Sequence, residues 1–222
     1  MSRVNRATAA ASFSVSFTVG LYGIAFGAAG IAAGFSLLQT CILSLLTFSG
    51  ASQFAVVGVL GAGGTAISGI TTASLLGIRN ALYGMRMAPI MKFRGLKRVV
   101  GAQLTIDEST GVALGQSERG IDAMRQGFWL TGIGVYLFWN LFTVLGALGA
   151  QAMGDPAAWG LDSAVPAAFL GLVWPRLTNK KERILAVTAM ALSLALTPFV
   201  AAGLPIISTA LLAVAFGWKA NK

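Results

Sequence analysis

Residues 7–78 include no charged side chain. A globular domain is about a quarter charged and its surface helices keep a polar face, so a soluble fold cannot hold such a run. A bilayer can. Its hydrocarbon core of roughly 30 Å takes about 20 apolar residues per helical crossing. The whole chain agrees: of 222 residues 10% are charged, 56% are apolar and 28 are Gly, and the mean hydropathy is +0.77. That length holds about six to eight crossings. The expectation is one transmembrane domain over residues 1–222, all-α and polytopic, with little chain left for an enzymatic domain.

The charges that exist are biased, with 16 Lys and Arg against 7 Asp and Glu. In a soluble protein that excess would point to nucleic acid. Here the basic residues form short runs between apolar stretches, at 86–98 and 176–183, which is the pattern of cytoplasmic loops in a bilayer protein. No nucleic-acid partner is expected. Cys41 is the single cysteine and there is no His, so disulfide frameworks, thiolate clusters and histidine chemistry are excluded.

Glycine-rich punctuation at 34–36 and 61–64 divides the uncharged run into three segments. The 61–64 cluster lacks the Lys-Ser/Thr of a phosphate loop and reads as a turn. Residues 127–150 read as a spanning helix and residues 118–125 as a mixed-charge linker. Trp159 and Trp174 are placed like interface anchors, and residues 151–162 form an acidic outer loop. Three full crossings before residue 86 would put the strongest basic loop outside. The simplest repair lets residues 37–60 enter and leave on one side, with a second such segment at 99–118 facing it. Six crossings plus two broken or re-entrant segments result, a layout that allows an inverted repeat. A plain seven-span chain with a misplaced basic loop is the alternative.

Few residues can carry chemistry. Gly20, Gly23, Gly27, Gly30 and Gly34 recur every three or four residues and form a face for close helix packing. Ser49, Ser52 and Gln53 are polar in the middle of an apolar run, either at a substrate site where unwound backbone holds a zwitterion or as an inter-helix hydrogen-bonding patch. Arg79 and Asn80 end the third segment; Arg79 is a site residue, or snorkels to the cytoplasmic interface less than two turns away, or pairs with Asp107. Asp107 and Glu108 are the acids nearest membrane depth. Burial would raise a carboxyl pKa and suit it to proton coupling, while Thr105-Ile106-Asp107-Glu108 equally fits a capping box. Asn140 reads as glue between helices. No carboxylate pair, nucleophile with a base, or metal-ligand spacing suggests an enzyme, so transport or partner binding remains.

Three stretches carry a resemblance: Val19-Gly20-Leu21-Tyr22-Gly23-Ile24-Ala25-Phe26-Gly27, Ser44 to Phe54 with its Ser-Gly-Ala-Ser-Gln-Phe core, and Arg79-Asn80-Ala81-Leu82-Tyr83-Gly84. They resemble the AzlC family, the large subunits of bacterial branched-chain amino acid exporters, and Thr105 to Glu108 fits the family pattern as well. The resemblance spans essentially the whole chain. It implies proton-driven efflux of a small apolar amino acid across the inner membrane, together with a small AzlD-type membrane subunit, while the basic residues at both ends (Arg3, Arg6, Lys219, Lys222) place both termini in the cytoplasm. Substrate contacts are then expected from Ser49, Gly50, Ser52, Gln53, Phe54, Arg79 and Asn80, and proton coupling from Asp107 and Glu108. No cofactor or metal ion is expected. The alternatives of other classes are a non-transporting membrane interaction subunit and an uptake permease for another small solute.

Overall fold

The structure, a computed structural model, describes residues 5–154, 158, 160, 164–174 and 177–220. The acidic 151–162 loop with its Trp159 anchor, and Arg176, lie largely outside them. The described residues form helices and no strands: α1 (Arg6–Gly20), α2 (Tyr22–Ala32), α3 (Leu37–Leu46), α4 (Gly50–Gly61), α5 (Ala66–Met91), α6 (Leu96–Gln103), α7 (Asp107–Gly115), α8 (Ile121–Ala152), α9 (Ala164–Val173), α10 (Lys180–Leu196) and α11 (Leu204–Ala220).

Side-chain contacts fix how these elements run. α1 and α2 form nearly one rod, parallel to α8: Thr8 lies against Gly127, Ser16 bonds the carbonyl of Thr131, and Gly23 and Gly27 meet Trp139 and Thr143. α5 runs the other way. It starts beside the end of α4, where Gly69 neighbours Leu60, and finishes where Arg125 Nε donates to the carbonyl of Ile90 at 3.1 Å. Between them α3 descends from Thr40, packed on Gly30, to Leu45 beside Tyr136; α4 then climbs from Gly50, packed on Trp139, to Gly61, packed on Ala33. The pair is a V entered and left at the far end of α2. α6 and α7 make a second V from the opposite end, with Gln103 reaching Leu45 and Leu46, and Gln116 returning to Thr8. Each limb of the first V has 10 or 12 residues, about half a bilayer by helical rise. The order is span, V, span, inverted V, span.

Among the described residues, two stretches are long and apolar enough to cross a bilayer unbroken, Arg6–Ala32 and Ile121–Ala152, and Leu204–Ala215 is a shorter apolar helix. Three expectations need correction. The 127–150 helix takes in most of the 118–125 linker and runs from Ile121 to Ala152. α5 continues through the basic residues to Met91, so Arg79 sits at its middle, about 18 Å from its C-terminal end rather than within two turns of an interface. Gly34 is not part of the packing face: at φ 87° it ends the α2 segment in a conformation that favours glycine.

Packing is inverted relative to a soluble domain. Thr8, Ser12, Ser16, Thr40, Ser44, Thr72, Thr131 and Thr143 are fully buried, whereas Leu137, Leu141, Leu145 and Leu148 of α8 and Phe13 of α1 are exposed. Lipid removes the hydrophobic drive between helices, so small residues that let backbones approach make the interfaces. Gly27 and Gly146 show this most sharply. A Cβ on either would collide with backbone, the carbonyls of Thr143 and Ile24 respectively. Outside the bundle, Glu182 closes a reciprocal cap with Asn179 at the start of α10. The Asn179 backbone amide holds its carboxyl below the usual range, so this contribution is present above about pH 4.5 and lost as the pH falls through the lower folded value.

Two measurements check the fold. Gly27→Ala and Gly146→Ala lower thermal stability in detergent by about 1–3 kcal/mol each, because backbone must move. Gly149→Ala, with open space at its Cβ, leaves stability unchanged or raises it by up to about 1 kcal/mol through helix propensity. In a Cys41→Ser background, impermeant thiol reagents applied from outside label a cysteine at position 63 and spare those at 94 and 180. Labelling at 94 overturns the paired-V topology.

Candidate functional site at the meeting of two helix breaks

Breaking a helix at membrane depth exposes backbone that lipid cannot satisfy. At the first break every carbonyl from Ser44 to Thr47 finds a donor. Gln53 Nε2 donates to Ser44 (3.2 Å) and Thr47 (2.8 Å), Tyr136 Oη to Leu45 (3.3 Å), and Gln103 Nε2 to Leu45 and Leu46 (3.2 Å each). The remaining oxygen of Gln53 accepts from the Trp139 indole N–H at 2.9 Å. The amide end is treated differently. Ser49, the N-cap of α4, makes no capping bond and its buried hydroxyl has no partner.

The second break is self-contained. Thr105 Oγ1 donates to the carbonyl of Gly101 at 2.7 Å, and Ser109 Oγ donates to that of Leu104 at 2.6 Å while accepting from the Ile106 amide at 3.1 Å. This corrects the expected capping box. The N-cap is Ile106, Ser109 closes the turn, and Thr105 turns back into α6. Asp107 and Glu108 occupy the first turn of α7, where the helix dipole favours carboxylates.

A cavity of about 190 Å³ lies between the two tips, many times the roughly 10–15 Å³ that admits one water. Ser49, Gly50, Arg79, Asn80, Asp107 and Glu108 form its polar side; Val19, Tyr22, Trp139, Phe169 and Val173 are among its apolar walls. Arg79 Nη1 pairs with Asp107 Oδ2 at 3.2 Å. Arg79 Nε and Asn80 Oδ1 are buried without a partner. One chamber therefore offers a guanidinium edge, a hydroxyl and an open helix N-terminus beside two carboxylates and an aromatic wall.

Six of the nine expected site residues thus share one cavity, and three do not line it. Ser52 donates to the carbonyl of Ala73 at 2.9 Å, tying α4 to α5. Gln53 is the clamp just described. Phe54 is fully buried in an aromatic cluster, its centroid 5.6 Å from that of Phe26 and 6.0 Å from that of Phe169. Asn140 bonds the Tyr136 carbonyl of its own helix rather than another helix. Sequence reasoning missed the apolar wall. Tyr22, inside the glycine run, and Trp139, in mid-span, were its two visible signals; Phe169 and Val173 had none.

The family described as AzlC protein matches residues 14–153, which include both breaks, the ion pair and most of the cavity wall. The chain belongs to the AzlC family. It is also 29% identical over 172 residues to the Inner membrane protein YgaZ of Escherichia coli (strain K12), covering 74% of this chain and 69% of that protein. No solved structure matches it. The AzlC-family chain is an all-helical membrane protein, and α9, which contributes Phe169 and Val173 to the cavity, falls beyond the family match.

Gln53→Leu tests the clamp. From polarity alone the substitution looks tolerable, since it removes an amide from an apolar run. Here it leaves the Ser44 carbonyl and the Trp139 indole N–H without partners and takes one of two donors from the Thr47 carbonyl, at about 1–3 kcal/mol for each orphaned group. Thermal unfolding in detergent registers a loss of at least about 2 kcal/mol, and Ser52→Ala, which removes one hydrogen bond to a helical carbonyl, a smaller one.

Proposed function

We propose that the chain moves an apolar α-amino acid across the bacterial inner membrane, holding it as a zwitterion between the two helix tips. One observation carries this reading: unpartnered donors on Ser49 and Arg79 line one cavity with Asp107, Glu108 and an aromatic wall. The substrate carboxylate takes Arg79 Nε, Ser49 Oγ and the open first turn of α4, a helix N-terminus of the kind that binds anions. The ammonium takes Asp107 and Glu108. The side chain lies against the rings of Tyr22, Trp139 and Phe169, with the Trp139 indole N–H already committed to Gln53.

In the empty site Arg79 and Asp107 neutralise each other, a favourable alternative to two lone charges at membrane depth. Substrate separates them and supplies each with a new partner, so the site stays electrically balanced. Protonation of Asp107 frees Arg79 in another way and lets a proton gradient drive the cycle outward. Six crossings with both termini cytoplasmic follow from the basic loops, and a small AzlD-type subunit is the expected partner.

Proteoliposomes test this. Labelled valine, leucine or isoleucine exchanges across the membrane, and an imposed pH gradient drives its accumulation. Arg79→Gln abolishes both. Asp107→Asn keeps exchange, with a several-fold higher half-saturating concentration because Glu108 still faces the ammonium, and loses pH-driven accumulation. Absence of any exchange, with the chain alone or with a small membrane subunit added, overturns the transport reading.

A further inference from the structure

Among the described residues, three buried hydroxyls outside the cavity have no hydrogen-bond partner: Ser12 on α1, Thr110 on α7 and Thr131 on α8, each at most 4% exposed. They come from three helices that pack together, and neighbouring contacts set their order. Thr110 lies one turn below Asp107, toward Gln116. Ser12 lies one turn above Thr8 and one below Ser16, whose hydroxyl bonds the Thr131 carbonyl at 3.2 Å. Below them Thr8 Oγ1 donates to Gln116 Oε1 at 3.0 Å, with Val112, Gln116 and Thr8 all against Gly127. Lower still, the Asn5 amide donates to Gln126 Oε1 at 3.0 Å and Gln126 Nε2 returns a bond to the Asn5 carbonyl. Polar groups are therefore spaced along the α1–α7–α8 interface between the cavity carboxylate and the end of the bundle that carries the basic loop.

A buried hydroxyl with no partner is costly, and natural interiors satisfy such groups with ordered water when protein does not. We infer that this seam holds water and carries protons between Asp107 and the N-terminal end of the bundle. The inference rests on the proton coupling proposed above. A proton enters at Gln116 and passes along water and the Ser12, Thr131 and Thr110 hydroxyls, each oxygen accepting one proton and releasing another. It ends on the Asp107 carboxylate, and reverse passage returns the charge. Few charges face the route. α1 contributes Arg6 at its start, α7 contributes Asp107 and Glu108, and α8 has none from Gly127 onward. α5 contributes Arg79, held on Asp107, and exposed Arg119 donates to Gln116 at the mouth, where solvent screens it.

The experiment uses the full chain with Ser12→Ala, Thr131→Val and Thr131→Ser, none of which touches the cavity. Accumulation driven by a pH gradient falls at least tenfold in Ser12→Ala and Thr131→Val, recovers in Thr131→Ser, and leaves equal-pH exchange unchanged in all three. The melting temperature in detergent is a readout that needs no transport: with water in the seam, Thr131→Val lowers it. A raised melting temperature, with coupling intact, means a dry interface whose orphaned hydroxyl was a burden, and overturns the inference. Accumulation driven by sodium and indifferent to pH overturns it as well while leaving the transport reading standing. Missing exchange in the unsubstituted chain defeats that reading instead, and the melting temperature still decides whether the seam is wet.

Discussion

A polypeptide can interrupt a helix inside hydrocarbon only where other groups take over the lost backbone hydrogen bonds. The first break meets that demand at one end. Four consecutive carbonyls, from Ser44 to Thr47, are satisfied by three side chains drawn from α4, α6 and α8. Those bonds hold the tip of the first V against both the second V and the longest helix. At the opposite end the Ser49 amide turns back to the Thr47 carbonyl, and the first turn of α4, which has no side-chain cap, begins at the cavity wall. The chamber acquires a positive rim on its α4 side without a charged residue there.

The second tip balances it. α7 begins with two carboxylates in its first turn, where its own dipole stabilises them. Arg79 reaches them from the middle of α5. The guanidinium engages Asp107 through one nitrogen and keeps its Nε edge free, and a planar donor of this kind suits a carboxylate. Opposite charges thus converge from three helices on a site where Arg79 and Asp107 offset each other when it is empty, and a zwitterion can enter without changing its net charge.

How far this was legible in the sequence depended on whether a feature was local. The uncharged run, the glycine punctuation and the basic loops are local, and they place the two V-shaped segments within a few residues. The polar run at 48–54 marked the break, because Ser, Gly and Gln in an apolar stretch need a reason to be there. Which side chain faces which way was not local. Ser49, the extended N-cap, lines the cavity, while Gln53, within the first turn of α4, reaches back to carbonyls at the end of α3 that only the fold brings near. The end of α5 was hidden for another reason. Arg86 and Pro89 look like a terminus, yet the helix runs to Met91 and gains a terminal partner from Arg125, 35 positions along the chain. The Thr105 cap failed because Ser109 offered the same hydroxyl chemistry one residue into the next register.

The glycine face and the site depend on each other. Gly23 and Gly27 let α2 lie with its backbone against that of α8, and Gly146 returns the same accommodation to Ile24. That closeness sets Trp139 beside Gly50, where a Cβ would fall 2.9 Å from the indole ring. The indole N–H then reaches Gln53, and Gln53 reaches the end of α3. Backbone packing at one end of the molecule thereby fixes an aromatic wall, the wall fixes an amide, and the amide fixes the broken helix. A bulkier residue in the α2–α8 seam would therefore act on the cavity through Trp139, with every residue that lines the cavity left unsubstituted.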